Sequence, residues 1–120
     1  MAPFTYTTRD GRQFWVLEED LQGLTAYSPG VYINAKYRGR QKFSTYIHEW
    51  LHMEFPKWKH ENIYSAEEIL ADLLWKRGKK ITLTDIRNAV KIWCKHWARR
   101  SREHLDYCLW DYLRAAGYAR

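Results

Sequence analysis

Along the chain the spacing of apolar positions changes from two to nearly four. Phe4 to Thr8 and Gln13 to Leu17 are aromatic and β-branched runs separated by Asp10-Gly11, a pattern that predicts a β-hairpin. Glu18 to Leu24 reads as a short polar connection, one helical turn at most, and Tyr27-Ser28-Pro29-Gly30 as a turn. Val31 to Tyr37 alternates and predicts a strand, with Val31, Ile33, Ala35 and Tyr37 on one face and Tyr32, Asn34 and Lys36 on the other.

After a basic linker, Arg38 to Lys42, the helical period takes over. The first helix runs from Gln41 or Ser44 to Phe55 and is stopped by Pro56, because the residue before a proline is pushed out of the helical region. Lys57 to Tyr64 reads as a loop. Ser65-Ala66-Glu67-Glu68 opens a second helix that reaches Trp75 or Arg77 and stops at Gly78. Thr84-Asp85 starts a third, to Arg100, and a last one spans Ser101 or Arg102 to Ala116, ending at Gly117. The pattern predicts an α+β fold: a small N-terminal antiparallel β-sheet followed by four helices. No repeat or linker divides it, so residues 1–120 form one domain.

Composition narrows the class. Hydrophobic residues make up 46% and aromatics 17%, which excludes a disordered chain. No apolar run reaches the length of a membrane span, and the polar N-terminus is not a signal peptide, so a soluble, cytoplasmic protein without a membrane partner is expected. Cys94 and Cys108 lack CxxC and zinc-finger spacing and read as reduced thiols. The net charge of +6 is concentrated in Lys36 to Lys42, Lys76 to Lys80 and Lys95 to Arg102. Such clusters serve solubility or an acidic partner such as nucleic acid. Lys91, Lys95, Arg99 and Arg102 share one helical stripe.

The most specific chemistry lies in the first helix, where His48-Glu49-Trp50-Leu51-His52 is the HExxH pattern. A chain of this length shows it by chance in roughly a few cases per thousand. Residues four apart share a helix face, so both imidazoles can reach one metal ion, and Zn2+ suits imidazole. Glu49, about 100° further round, is placed to take a proton from a zinc-bound water and return it to a leaving amine. The bland alternative is a pair of half-buried histidines with a solvated glutamate.

A catalytic zinc needs a third protein ligand. Glu68 is the first candidate: Glu68 and Asp72 share a helix face amid Ile69, Leu70, Ala71, Leu73, Leu74 and Trp75, and a carboxylate in such an apolar surround needs a metal, a cation or a donor. Asp72 then accepts a proton from the far nitrogen of His48 or His52. Against this, Ser65-x-x-Glu68 is a capping box in which Glu68 bonds back to Ser65, leaving Glu67 as the fallback ligand. His60, eight residues after His52, reads as a loop histidine.

With these residues in view, the strand, short loop and HExxH helix resemble the heart of a zincin metallopeptidase. That resemblance implies an edge strand on which an extended peptide can pair. Val31 to Gly78 is similar to the gluzincins, whose third ligand is a Glu on a later helix with an Asp one turn beyond, and closest in size to the minigluzincins. Tyr46 to Gly78 also resembles short HExxH proteins encoded by bacteriophages, which end in a Leu-Trp-basic-x-Gly run matched by Leu74-Trp75-Lys76-Arg77-Gly78. The departures are a short interval from His52 to Glu68 and Glu67 where gluzincins usually carry Asn. His60 is the weaker rival for the third ligand: the metzincin pattern needs six residues and a glycine after the second histidine, where this chain has eight and no glycine.

The expectation is therefore a zinc-dependent metallopeptidase acting on a peptide or protein, with His48, His52 and Glu68 on the metal, Glu49 as general base and Asp72 behind the ligands. In a phage setting it works in the host cytoplasm. Tyr64, His96, His104, Tyr107 and Tyr112 are the candidates for stabilising the oxyanion. From a different class comes a metal-stabilised binding module, a phage factor gripping a host protein or nucleic acid. A third reading joins the two, a protease recruited to DNA by its basic face, as SprT-like proteases are.

Overall fold

The computed structural model describes residues 3–19, 30–95 and 104–120. Three strands, β1 (Phe4–Thr7), β2 (Gln13–Glu19) and β3 (Gly30–Asn34), precede four helices, α1 (Gly39–Glu54), α2 (His60–Leu74), α3 (Leu83–Cys94) and α4 (Leu105–Ala115). The α+β class and the element order expected from the sequence are observed.

β1 and β2 form the expected hairpin, paired from Phe4 opposite Val16 to Thr7 opposite Gln13. Its turn is wider than two residues: Thr8 N–H donates to the Arg12 carbonyl at 2.8 Å, and Gly11, at φ 89°, supplies the left-handed step. β3 joins the other side of β2 in parallel, Val16 opposite Val31, so the sheet is mixed and its order is β1-β2-β3. β3 ends at Asn34, earlier than the alternation suggests, because the Asn34 side chain accepts from Lys36 N–H at 3.0 Å while Tyr37 N–H turns back to the Asn34 carbonyl. The expected connection beyond Glu19 and the turn at Tyr27 to Pro29 lie outside the described residues.

α1 begins at Gly39, two residues before the earlier of its expected starts, and ends as expected at Phe55-Pro56. Phe43, Tyr46, Ile47, Trp50, Leu51 and Met53 bury one face of it against the sheet and the other helices. α2 starts at His60, five residues before Ser65. Its stripe of Ile63, Ala66, Leu70 and Leu74 is buried, but the first turn is polar, and that polarity hid the helix. The Ser65 capping box does not form: Ser65 is inside α2 and its hydroxyl donates to the Glu61 carbonyl at 3.1 Å. α3 begins at Leu83, two residues after Ile81, with a different capping box, Thr82 and Asp85 bonding reciprocally. The expected continuation of α3 to Arg100 and the start of the last helix at Ser101 or Arg102 fall outside the described residues, as do His96 and Trp97.

Tyr112 of α4 sits in the middle of the core, ringed edge-on by Phe4, Tyr6 and Tyr46, and its hydroxyl donates to the Tyr46 carbonyl at 2.7 Å. A second polar cluster ties the hairpin to the end of α1. Trp50 Nε1 donates to the Tyr6 hydroxyl (2.9 Å), which donates to the Glu54 carboxylate (2.6 Å), and Arg9 closes on the same carboxylate at 3.0 Å. Glu54 is buried and its charge is met by the Arg9 guanidinium and by Arg9 N–H. Cys94 is buried and Cys108 half-buried, and no disulfide joins them. Among the described residues no helix is long and apolar enough to cross a membrane.

Candidate metal centre

His48 and His52 lie one turn apart on α1, as the HExxH spacing requires. What completes the group is the hairpin between α1 and α2. Pro56 ends α1, Trp58 N–H returns to the Phe55 carbonyl at 3.1 Å, and the Trp58 ring stacks on Phe55 at 4.2 Å with both rings against Trp93. This packing reverses the chain, so the first turn of α2 lies beside the last turns of α1.

His60, the first residue of α2, thereby meets the HExxH pair. Its Nε2 is 3.0 Å from His48 Nε2, which is itself 3.0 Å from His52 Nε2. The three histidines each offer a ring nitrogen, all within 4.8 Å of one another. His60 is therefore not a loop histidine, and the reading that set it aside is corrected.

The same geometry moves the expected carboxylates. On α2, at about 100° per residue, Glu67 lies about 40° from buried Ile63, whereas Glu68 lies about 140° away and Asp72 opposite it. Glu67 turns inward and bonds His48 Nδ1 at 2.6 Å, with the Ser44 hydroxyl on its other oxygen. Glu68 is exposed and stands outside the histidine group. Asp72, also exposed, pairs with Arg40 instead of an imidazole. The apolar surround expected for the two carboxylates does not exist, because Leu73 is exposed and Ile69 only half-buried. Glu67 thus holds the position behind a ligand that the sequence reading gave to Asp72.

The Glu67 contact fixes the state of His48. A carboxylate accepts, so Nδ1 carries a proton, and in the neutral ring Nε2 is then the nitrogen that can accept or ligate. That is how a carboxylate orients a metal-binding imidazole. His52 is held below its ordinary pKa by burial, with repulsion from His48 and His60 adding to it, so it too is biased to the neutral, ligating form. Three nitrogen donors so grouped could hold a metal ion; around a tetrahedral zinc, ligands at about 2.0–2.1 Å would stand about 3.3 Å apart. The two 3.0 Å spacings that share His48 Nε2 would have to widen by a few tenths of an ångström to reach that value.

Glu49 is the next residue round α1. Burial raises its carboxyl pKa, the neighbouring His48 opposes that rise, and Glu67 adds to it. Of the described residues considered for an oxyanion, Tyr64 alone is at the site: one turn after His60, it is exposed, with its ring 4.8 Å from His48 and 4.7 Å from His60. Tyr112 is committed to the Tyr46 carbonyl, Tyr107 to Arg87, and His104 precedes α4; His96 is outside the described residues. A groove of about 520 Å³ leads away from His48 along α1.

The basic clusters are partly used within the chain. Arg38 donates to the Ala35 and Tyr37 carbonyls, Arg40 pairs with Asp72, Lys42 with Glu18, and Lys76 with Asp85. Most of Lys95 to Arg102 lies outside the described residues. Compared with protein-family models, curated proteins and solved structures, the chain matches none.

Proposed function

We propose that this protein is a zinc-dependent peptidase whose metal ligands are His48, His52 and His60. The observation that carries the reading is the convergence of three imidazole nitrogens around an HExxH helix, with Glu67 fixing the tautomer of one of them. Bound there, zinc supplies Lewis acidity, which acidifies water and polarises a carbonyl. The rest is the work of this chain's side chains. Glu49, desolvated and next to His48, takes the proton of the attacking water and passes it to the departing amine. Tyr64, beside two of the ligands, offers its hydroxyl to the oxyanion. Glu67 and Ser44 keep His48 aimed.

The test measures zinc content and peptide hydrolysis in the wild type and in Glu49→Gln. Bound zinc in both proteins, with turnover in the wild type alone, supports the reading. A protein that takes up no zinc and hydrolyses no peptide ends it. One observation favours the second reading, a metal-stabilised binding module: the cluster clips the last turns of α1 to the first turn of α2, where a structural ion would also sit. That reading requires zinc without turnover and a function unaffected by Glu49→Gln.

A further inference from the structure

The groove that ends at His48 and Tyr64 has a charged far end. Along α1 it is walled by Arg40, Ser44 and His48, and Tyr37 and, from α2, Tyr64 and Glu67 complete the wall. Among the described residues that line it, Arg40 is the fixed positive charge, and Glu67, the one carboxylate, is taken up by His48 and Ser44. We propose that Arg40 recognises a carboxylate of an extended peptide about three residues from the bond held at the histidine cluster, an inference that rests on the peptidase reading.

The spacing comes from the helix. Arg40 and His48 are eight residues apart, so at 1.5 Å per residue they are separated by about 12 Å. The Cα–Cβ bonds of a helix all tilt toward its N-terminus, so the two side chains leave the helix about as far apart as their Cα atoms. An extended peptide advances about 3.3 Å per residue, and 12 Å therefore accommodates about three residues plus the reach of the two end contacts. Arg40 is suited to the far end. Asp72, which is not part of the groove wall, holds the guanidinium through Nη2, and an arginine fork has five N–H donors in all. The pair is about half exposed (46% and 64%), so an incoming carboxylate meets the guanidinium without burying a lone charge. Two sources share this chemistry, a free C-terminus and an Asp or Glu side chain.

The experiment measures binding to zinc-loaded Glu49→Gln protein by calorimetry. Three probes are used: an acetylated tetra-alanine acid, its C-terminal amide, and the amide with one Asp at its C-terminal residue. The expected result is at least tenfold tighter binding of a carboxylate-bearing peptide than of the plain amide. The tenfold preference falls to under twofold when Arg40→Gln is added and persists when Asp72→Asn is added. Preference for the acid alone identifies a C-terminus; preference shared by the Asp amide identifies an acidic side chain. Equal binding of all three peptides, or a preference that survives Arg40→Gln, overturns the proposal. Hydrolysis by the wild type is measured separately: a carboxylate preference without turnover sinks the peptidase reading and leaves Arg40 recognition standing, whereas turnover with no preference does the reverse.

Discussion

The decisive perturbation is His60→Ala set beside Glu68→Ala, because the proposed site and the sequence pattern put different residues in the place of the third ligand. His60 is exposed at the first position of α2, so its removal leaves the core intact. It does remove one of three nitrogens from the cluster. The magnitude follows from linkage. Zinc at 100 times its dissociation constant stabilises the folded state by about 2.7 kcal/mol. At about 3–5 °C per kcal/mol for a domain of this size, the wild type gains on the order of 10 °C in Tm. Losing a ligand costs at least the 100-fold that marks the upper end for losing a partner behind one. At the same zinc concentration the shift in His60→Ala then shrinks to about 0.4 kcal/mol, or 1–2 °C. Glu68→Ala keeps the full shift. The assay is thermal unfolding followed by near-UV circular dichroism with and without zinc, with affinity checked by competition against a chromophoric chelator. A zinc response that survives His60→Ala and disappears in Glu68→Ala would refute the geometry argued above.

Two further outcomes can be checked with the same protein. Glu67→Gln should weaken zinc binding about 10–100-fold while leaving the three ligands in place, since an amide can still touch His48 but no longer enforces its tautomer; unchanged affinity by chelator competition would remove Glu67 from the site. Tyr6→Phe should cost about 2–4 kcal/mol in urea unfolding, because it leaves Trp50 Nε1 without its acceptor and takes one donor from buried Glu54. A loss below 0.5 kcal/mol would mean that water replaces the hydroxyl and that this network does not hold the hairpin to α1.

Whatever depends only on neighbours in the chain was legible without coordinates. The facing of His48 and His52 is a property of any helix, and Glu49 beside them follows from the same 100° step. The Asp10-Gly11 hairpin and the stop at Pro56 belong to the same class. Where one turn of a helix is polar, the signal fades: His60-Glu61-Asn62 reads as loop, although Ile63, Ala66, Leu70 and Leu74 repeat at helical spacing. Extending that stripe back by one turn would have brought His60, Tyr64 and Glu67 onto one face, and this was the signal available for the third histidine.

The rest was decided between elements. Whether Glu67 or Glu68 faces α1 is a difference of one residue, about 100° of rotation, and only the packing of α2 against α1 fixes it. The turn through Phe55, Trp58 and Trp93 sets which end of α2 reaches the HExxH helix, and hence that an imidazole arrives there. The parallel pairing of β3 and the burial of Glu54 under Arg9 and Tyr6 likewise bring together residues far apart in sequence. Local spacing determined the two histidines that begin the cluster; the angle and register between two helices determined the one that completes it.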